Sequence, residues 1–230
     1  MTRTSVRIGG IAAALVMWWT VAAPAQEVDP AKVAAKAVES NNPDNVDPNL
    51  IKGEAWTFDF RFEQPQPIVV TTPGGEKEVY WYLVYTVTNR AEAEKNYIPT
   101  FTLFSNTASV RRAGVYPTVF EAVKTHRKVR FLENAVKMHG MVLPGEDNAR
   151  TGVAIFAPLD RETDHFTIFC EGLSGQYIER PNLKAKPDAP ADEKVIRLRK
   201  TLAITYKLPG DKWWMNQDQP IFVSKTWTWR

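Results

Sequence analysis

Residues 79–89, VYWYLVYTVTN, alternate in a way that predicts the central strand of the fold. One set of positions, which includes Trp81, Leu83 and Tyr85, is entirely apolar or aromatic, whereas the intervening set carries hydroxyl groups such as that of Thr86. Successive side chains of a strand point to opposite faces, so this spacing predicts one dry face and one partly wetted face. We therefore expect Leu83 to be buried.

Shorter segments before and after this strand have a similar character. Residues 55–63 show the clearest period of two, with Trp56 and three phenylalanines on one face. Further strands are predicted at 68–72, 98–104, 137–143, 152–156, 165–171, 195–208 and 221–229. The period changes at Pro117, and residues 117–128 are predicted to form a helix against one end of the sheets.

The pattern as a whole predicts an all-β chain with one folded domain. Residues 53–230 form that domain, and residues 26–52 are a short helix, at 31–39, followed by a polar tether. Residues 182–194 contain one leucine and no aromatic side chain, so we expect them to be a long exposed loop within the domain.

Residues 1–25 have the pattern of a secretory signal peptide. Arg3 and Arg7 precede an apolar run at 8–21, and a small-residue cleavage site ends at Ala25, before Gln26. The alternative is an uncleaved membrane anchor, but the run is shorter than the ~20 apolar residues of a spanning helix. We expect cleavage, no stable membrane span afterwards, and a periplasmic or secreted protein.

Composition excludes some classes of partner. Lys and Arg together number 29 and Asp and Glu 26, and two of the basic residues lie in the predicted signal, so the remaining chain is almost neutral. Nucleic-acid binding requires a concentrated basic footprint, and we expect none here. Cys170 is the single cysteine, so the chain forms no internal disulfide, and its apolar neighbours predict a buried structural thiol.

The acidic segment at 160–165 is a candidate site for a metal or for hydrolysis. Asp160, Glu162 and Asp164 match the first three ligand positions of a calcium loop. His165 occupies the position that requires glycine, and an alternating strand follows, so a solvated loop is the favoured interpretation. No cofactor, metal or catalytic residue is predicted, although a hydrolase built around this loop stays as an alternative.

Basic and aromatic side chains supply the other candidate sites. The strongest basic cluster could meet an anionic surface, although such a run is more often the solvated face of a helix; it comprises Arg111, Arg112, His126, Arg127, Lys128 and Arg130. Four tryptophans could stack on sugar rings, although packing of the last strand into the core is the favoured interpretation for the final two; they are Trp213, Trp214, Trp227 and Trp229.

Three stretches resemble the extracytoplasmic immunoglobulin-like modules of bacterial lipoproteins and secreted proteins. They are the strand end at 85–89, the turn at 143–146 before the strand at 152–156, and the acidic loop at 160–164 before the strand at 165–170. The resemblance implies an immunoglobulin-like β-sandwich, here with a small helical insertion. Such modules bind or space rather than catalyse, which implies a non-catalytic binding or structural module of the cell envelope. The expected partner is an envelope protein or, in the alternative function, a glycan.

Overall fold

A computed structural model describes residues 41–72, 74–209 and 219–230. The predicted signal peptide, the predicted helix at 31–39, and Trp213 and Trp214 lie outside the described residues. The strands are β1 (Ile51–Thr57), β2 (Asp59–Phe62), β3 (Gln66–Thr71), β4 (Lys77–Thr88), β5 (Lys95–Tyr97), β6 (Thr100–Ser105), β7 (Val110–Arg112), β8 (Gly140–Val142), β9 (Arg150–Phe156), β10 (His165–Glu171), β11 (Ser174–Pro181), β12 (Val195–Lys207) and β13 (Ile221–Trp229). One α-helix, α1 (Pro117–Arg127), and three 3₁₀ turns complete the described elements.

Two antiparallel sheets make up most of the fold, which is therefore mostly β. The large sheet has the order β1-β11-β12-β10-β6-β7, and β13 pairs with β12. The small sheet is centred on β4, which has β9 along one edge and β2 and β3 in succession along the other. β5 and β8 form a separate pair. In the described chain, no helix is long and apolar enough to cross a membrane.

The main core lies where these two sheets face each other. The face of β4 that carries Trp81, Leu83 and Tyr85 supplies its centre, and all three side chains are buried. The large sheet contributes buried side chains such as Ile168 and Ile204. The sequence prediction of the dry face is confirmed, since alternate positions of a strand must bury one side as a unit.

The other face of β4 is covered by α1, which corrects the expected position of the helix. Val119 and Val123, one turn apart, pack with Tyr82 and Val84 in a second apolar cluster. The helix therefore lies across a face of the small sheet and not at one end of the sheets. The second face of β4 is drier than predicted, because Tyr82 and Val84 are buried beneath α1.

The segment at 182–194 is an exposed loop between β11 and β12, as predicted. Its ends are joined by a hydrogen bond from Asn182 N to Lys194 O (2.8 Å). Leu183 is 95% exposed, so the loop gains little from apolar burial.

Limited trypsin treatment should therefore cut first in this loop. The carbonyl oxygen of Lys194 accepts the hydrogen bond that closes the loop, so we expect cleavage after Lys184 to precede cleavage after Lys194. The two fragments should stay together on native size exclusion, because β12 pairs with β10, β11 and β13. Fragments that separate without denaturant would contradict a single domain.

Three buried side chains that can lose a proton should make the folded state less stable at alkaline pH. Burial is the largest cause that raises the pKa of Cys170 well above its ordinary 9.0, and likewise those of Tyr85 and Tyr97 above their ordinary 10.0. The folded state holds these protons to a higher pH than the unfolded state does. Their contribution to stability is complete below about pH 9 and is lost as pH rises above it.

We accordingly expect the free energy of unfolding to fall above about pH 10, by up to about 1.4 kcal/mol per pH unit for each group. Urea denaturation from pH 8 to pH 11 measures this slope. Tyr97→Phe should make the slope shallower, because it removes one of the ionising groups. An unchanged slope in that variant would show that Tyr97 does not contribute.

Candidate functional site

The two described tryptophans of the predicted sugar site are not both available to a ligand. Trp229 is only 1% exposed and is part of the core, and Trp227 packs partly buried against the main core. The Nζ atom of Lys200 lies 5.5 Å from the ring centroid of Trp227. Their packing follows the favoured interpretation, in which the last strand contributes to the core.

The basic cluster is distributed over separate elements. Arg111 of β7 donates to Pro158 O (3.1 Å) and pairs with Asp160. Arg127, at the end of α1, pairs with Glu63 of the segment before β3. His126 and Lys128 are exposed near Arg127, and Arg130 lies over the ring of Phe131 at 4.8 Å. Of these six side chains, only that of Arg112 lines one of the clefts in the part of the chain that the structure describes.

The acidic segment is a hydrogen-bonded turn. Asp160 accepts from Thr107 Oγ1 (2.8 Å), and its carbonyl oxygen accepts from Thr163 N (3.0 Å). Asn106 Oδ1 accepts from Asp164 N (3.1 Å) and His165 N (3.3 Å). Within the described ranges, no group of three His, Cys, Asp or Glu side chains could hold a metal ion.

Two adjoining clefts open beside the outer edge of β9. The first, of about 390 Å³, lies against Tyr85 and Phe101 at the margin of the main core. The second, of about 260 Å³, lies between α1 and the segment at 132–137. They meet at four shared residues, Gly114, Val115, Ala135 and Val153, and we call the pair the β9 cleft. Sequence periodicity could not indicate this site, since it joins two irregular segments with a strand edge.

The rim of the β9 cleft is basic and lacks internal compensation. Arg112 and His139 line its first part, and Lys124 and Lys137 line its second. None of these four side chains forms an ion pair with the described chain. The one acidic lining residue is Glu121. This balance favours an anionic ligand.

The floor of the cleft is the free backbone edge of β9. Glu63 N donates to Val84 O (2.9 Å), which shows that the backbone of Val84 points away from β9. Hydrogen bonding alternates along an antiparallel pair, so Ala154 bonds to β4 whereas Val153 and Ile155 direct their backbone groups outward.

Two other segments cover part of this edge. Glu133 N donates to Thr151 O (2.9 Å), and Glu133 O accepts from Val153 N (3.2 Å). Further along, Gly114 N donates to Ile155 O (2.9 Å). Between these contacts, Val153 C=O and Ile155 N–H have no hydrogen-bond partner in the described chain. We call this pair of backbone groups the edge slot.

A turn after Glu133 leaves the slot open. Glu133 forms a single parallel bridge with Gly152, and in a longer parallel strand Ala135 would bond the edge slot. Asn134 prevents this, because its side chain accepts from Lys137 N (2.9 Å) and its carbonyl group accepts from Met138 N (3.1 Å). Val153 and Ile155 are 2% and 3% exposed, so their free backbone groups lie at the bottom of the cleft, where backbone groups normally have a hydrogen-bond partner.

No protein family model, curated protein or solved structure matches this chain.

Proposed function

We propose that this protein is a non-catalytic binding module of the bacterial cell envelope, and that its ligand occupies the β9 cleft. The observation that carries the proposal is a cleft with apolar walls in its first part, a free backbone donor and acceptor on its floor, and three basic side chains without an ion pair on its rim. Ligand sites commonly combine mostly apolar walls with a few directed polar groups.

An immunoglobulin-like arrangement of the two sheets belongs to the same proposal. The facing antiparallel sheets and their shared apolar core support it. In such modules the strands form a rigid frame, and the connecting segments carry the binding residues. Residues 113–116 and 131–139, which border the β9 cleft, are connecting segments of this kind.

The envelope location rests on the N-terminal sequence pattern. The basic residues, the apolar run and the small-residue site support export, with Gln26 as the first residue of the mature chain. N-terminal sequencing of the protein recovered from an envelope fraction tests this expectation. A chain that still begins at Met1 and that only detergent releases would contradict cleavage.

An anionic apolar dye tests the cleft without assuming its natural ligand. Anilinonaphthalene sulfonate should bind the wild-type protein at one saturable site, with enhanced fluorescence. Ala135→Phe should weaken this binding at least tenfold, because Ala135 lies where both parts of the cleft meet. Ala91→Phe is the matched control, since Ala91 is also half-buried but lies outside the cleft.

Loss of binding in Ala135→Phe alone, with both variants folded by circular dichroism, would support the cleft as the ligand site. Equal binding by wild type and Ala135→Phe would contradict it. So would the absence of saturable binding to the folded wild-type protein.

A further inference from the structure

The edge slot has the hydrogen-bonding pattern of one missing residue of a parallel strand. In a parallel pair, each bonded residue lies opposite one residue of the neighbouring strand. Its N–H donates to the C=O of the residue before that opposite residue, and its C=O accepts from the N–H of the residue after it. Val153 C=O and Ile155 N–H flank Ala154 in that arrangement. A ligand that fills the slot must therefore provide a donor and an acceptor with the spacing of a single amino-acid residue.

We propose that the β9 cleft binds the C-terminal residue of a peptide, in extension of the binding function proposed above. The N–H of that residue donates to Val153 C=O, and its terminal carboxylate accepts from Ile155 N–H. Capture of a chain terminus by free backbone groups is an established mode of peptide recognition.

The covered ends of the slot favour a chain terminus over a continuous strand. Glu133 already bonds to the edge of β9 just before the slot, and Gly114 bonds to it just after the slot. A peptide that continued along β9 past Ile155 would meet the segment at Gly114. A peptide that ends in the slot needs to enter from one side only, through the open cleft.

The charge on the rim matches a carboxylate. Arg112, Lys124 and Lys137 line the cleft without an acidic partner, and they outnumber Glu121. A hydrogen bond between an ionised donor and a carboxylate is about twice as strong as one between neutral groups. The basic rim should therefore distinguish a free C-terminus from an amidated one.

The walls of the cleft select the side chain of the bound residue. Phe101, Val115 and Val136 line its first part, and the last two are 57% and 63% exposed. A ligand would remove these apolar surfaces from water, at roughly 25 cal/mol per Å². We expect an apolar side chain of moderate size, such as leucine, at the C-terminus of the peptide.

Titration of the full chain with short peptides tests the proposal. The probe is N-acetyl-Ala-Ala-Leu with a free carboxylate, and the matched ligand is the same peptide with a C-terminal amide. Calorimetry should show at least tenfold tighter binding of the free acid. With ¹⁵N-labelled protein, the Ile155 amide signal should shift on addition of the acid, because that N–H gains an acceptor.

Two protein variants and one further ligand control the charge and the donor. Lys137→Gln should weaken binding of the free acid about tenfold, because Lys137 and Ile155 line the same part of the cleft. Arg180→Gln should change the affinity less than about twofold, because Arg180 is an exposed residue of β11 away from the cleft. Hexanoate, which has a carboxylate and an apolar chain but no N–H, should bind at least tenfold more weakly than the peptide.

Equal affinity for the free acid and the amide would overturn the proposal, as would peptide binding that leaves the Ile155 signal unmoved. Hexanoate that binds as tightly as the peptide would also overturn it, since Val153 C=O would then have no role. If the dye binds in the cleft but the peptide does not, this inference fails and the binding function stands. If neither ligand binds to the folded protein, both fail.

Discussion

Leu83→Ala is expected to lower the free energy of unfolding by about 2–5 kcal/mol. Leu83 is fully buried near the middle of β4, where its side chain contributes to the core between the two sheets. Truncation removes apolar contacts and leaves a cavity, and the strands on both sides of β4 restrict collapse around it. Urea denaturation of both proteins at pH 7 measures the difference.

Thr86→Ala is the control on the same strand. Thr86 is half-buried on the opposite face, and its hydroxyl group lies 3.0 Å from that of Thr151. Loss of this hydrogen bond should cost about 1 kcal/mol. Similar losses in Leu83→Ala and Thr86→Ala would mean that the two faces of β4 are wrongly assigned.

Gly172→Ala should be about as damaging, with a loss of about 2–5 kcal/mol from backbone conformation and overpacking combined. Gly172 has a φ of +86°, and a Cβ atom placed there would lie 2.4 Å from Ile98 O. Gly172 lies where β10 bends into β11: the eight residues from Cys170 to Tyr177 lie opposite only four on β12. An added methyl group would push this bend away from the segment that contains Ile98.

Gly75→Ala separates the two causes. Gly75 has nearly the same φ, +84°, but a Cβ atom there would have no heavy atom within 4 Å. It should therefore show only the conformational cost, about 1–2 kcal/mol. Thermal and urea denaturation of the two variants provide the comparison, and equal losses would show that the approach to Ile98 is unimportant.

The sequence predicted several strand bounds well, but the segment at 55–63, which has the clearest alternation, is divided between β1 of the large sheet and β2 of the small sheet. β10 and β13 have the predicted bounds, and the ends of β4 agree within two residues. In β4 the apolar positions repeat on one face, which makes the strand easy to recognise. The helix was also predicted within one residue, since Pro117 begins it and Val119 and Val123 have helical spacing. Its packing partner depended on the tertiary fold and was not predicted correctly.

Strands that depend on their neighbours were missed. β11 has Ile178 as its buried apolar side chain, and its remaining positions are mostly polar or charged, so periodicity does not distinguish it from a loop. β5 and β7 have three residues each, too few for a period. The β9 cleft was missed for a related reason, since its polar floor consists of backbone atoms, which side-chain patterns do not report.

Amide hydrogen exchange of the unliganded full chain tests the open edge of β9 most directly. The residues to compare are Ile155, whose N–H faces the cleft, and its neighbours Ala154 and Phe156, whose N–H groups bond to β4. We predict that Ile155 exchanges at least tenfold faster than either neighbour, and that the Ala-Ala-Leu peptide slows it selectively. Equally slow exchange at all three residues would show that the edge is closed, and it would contradict the proposed binding site.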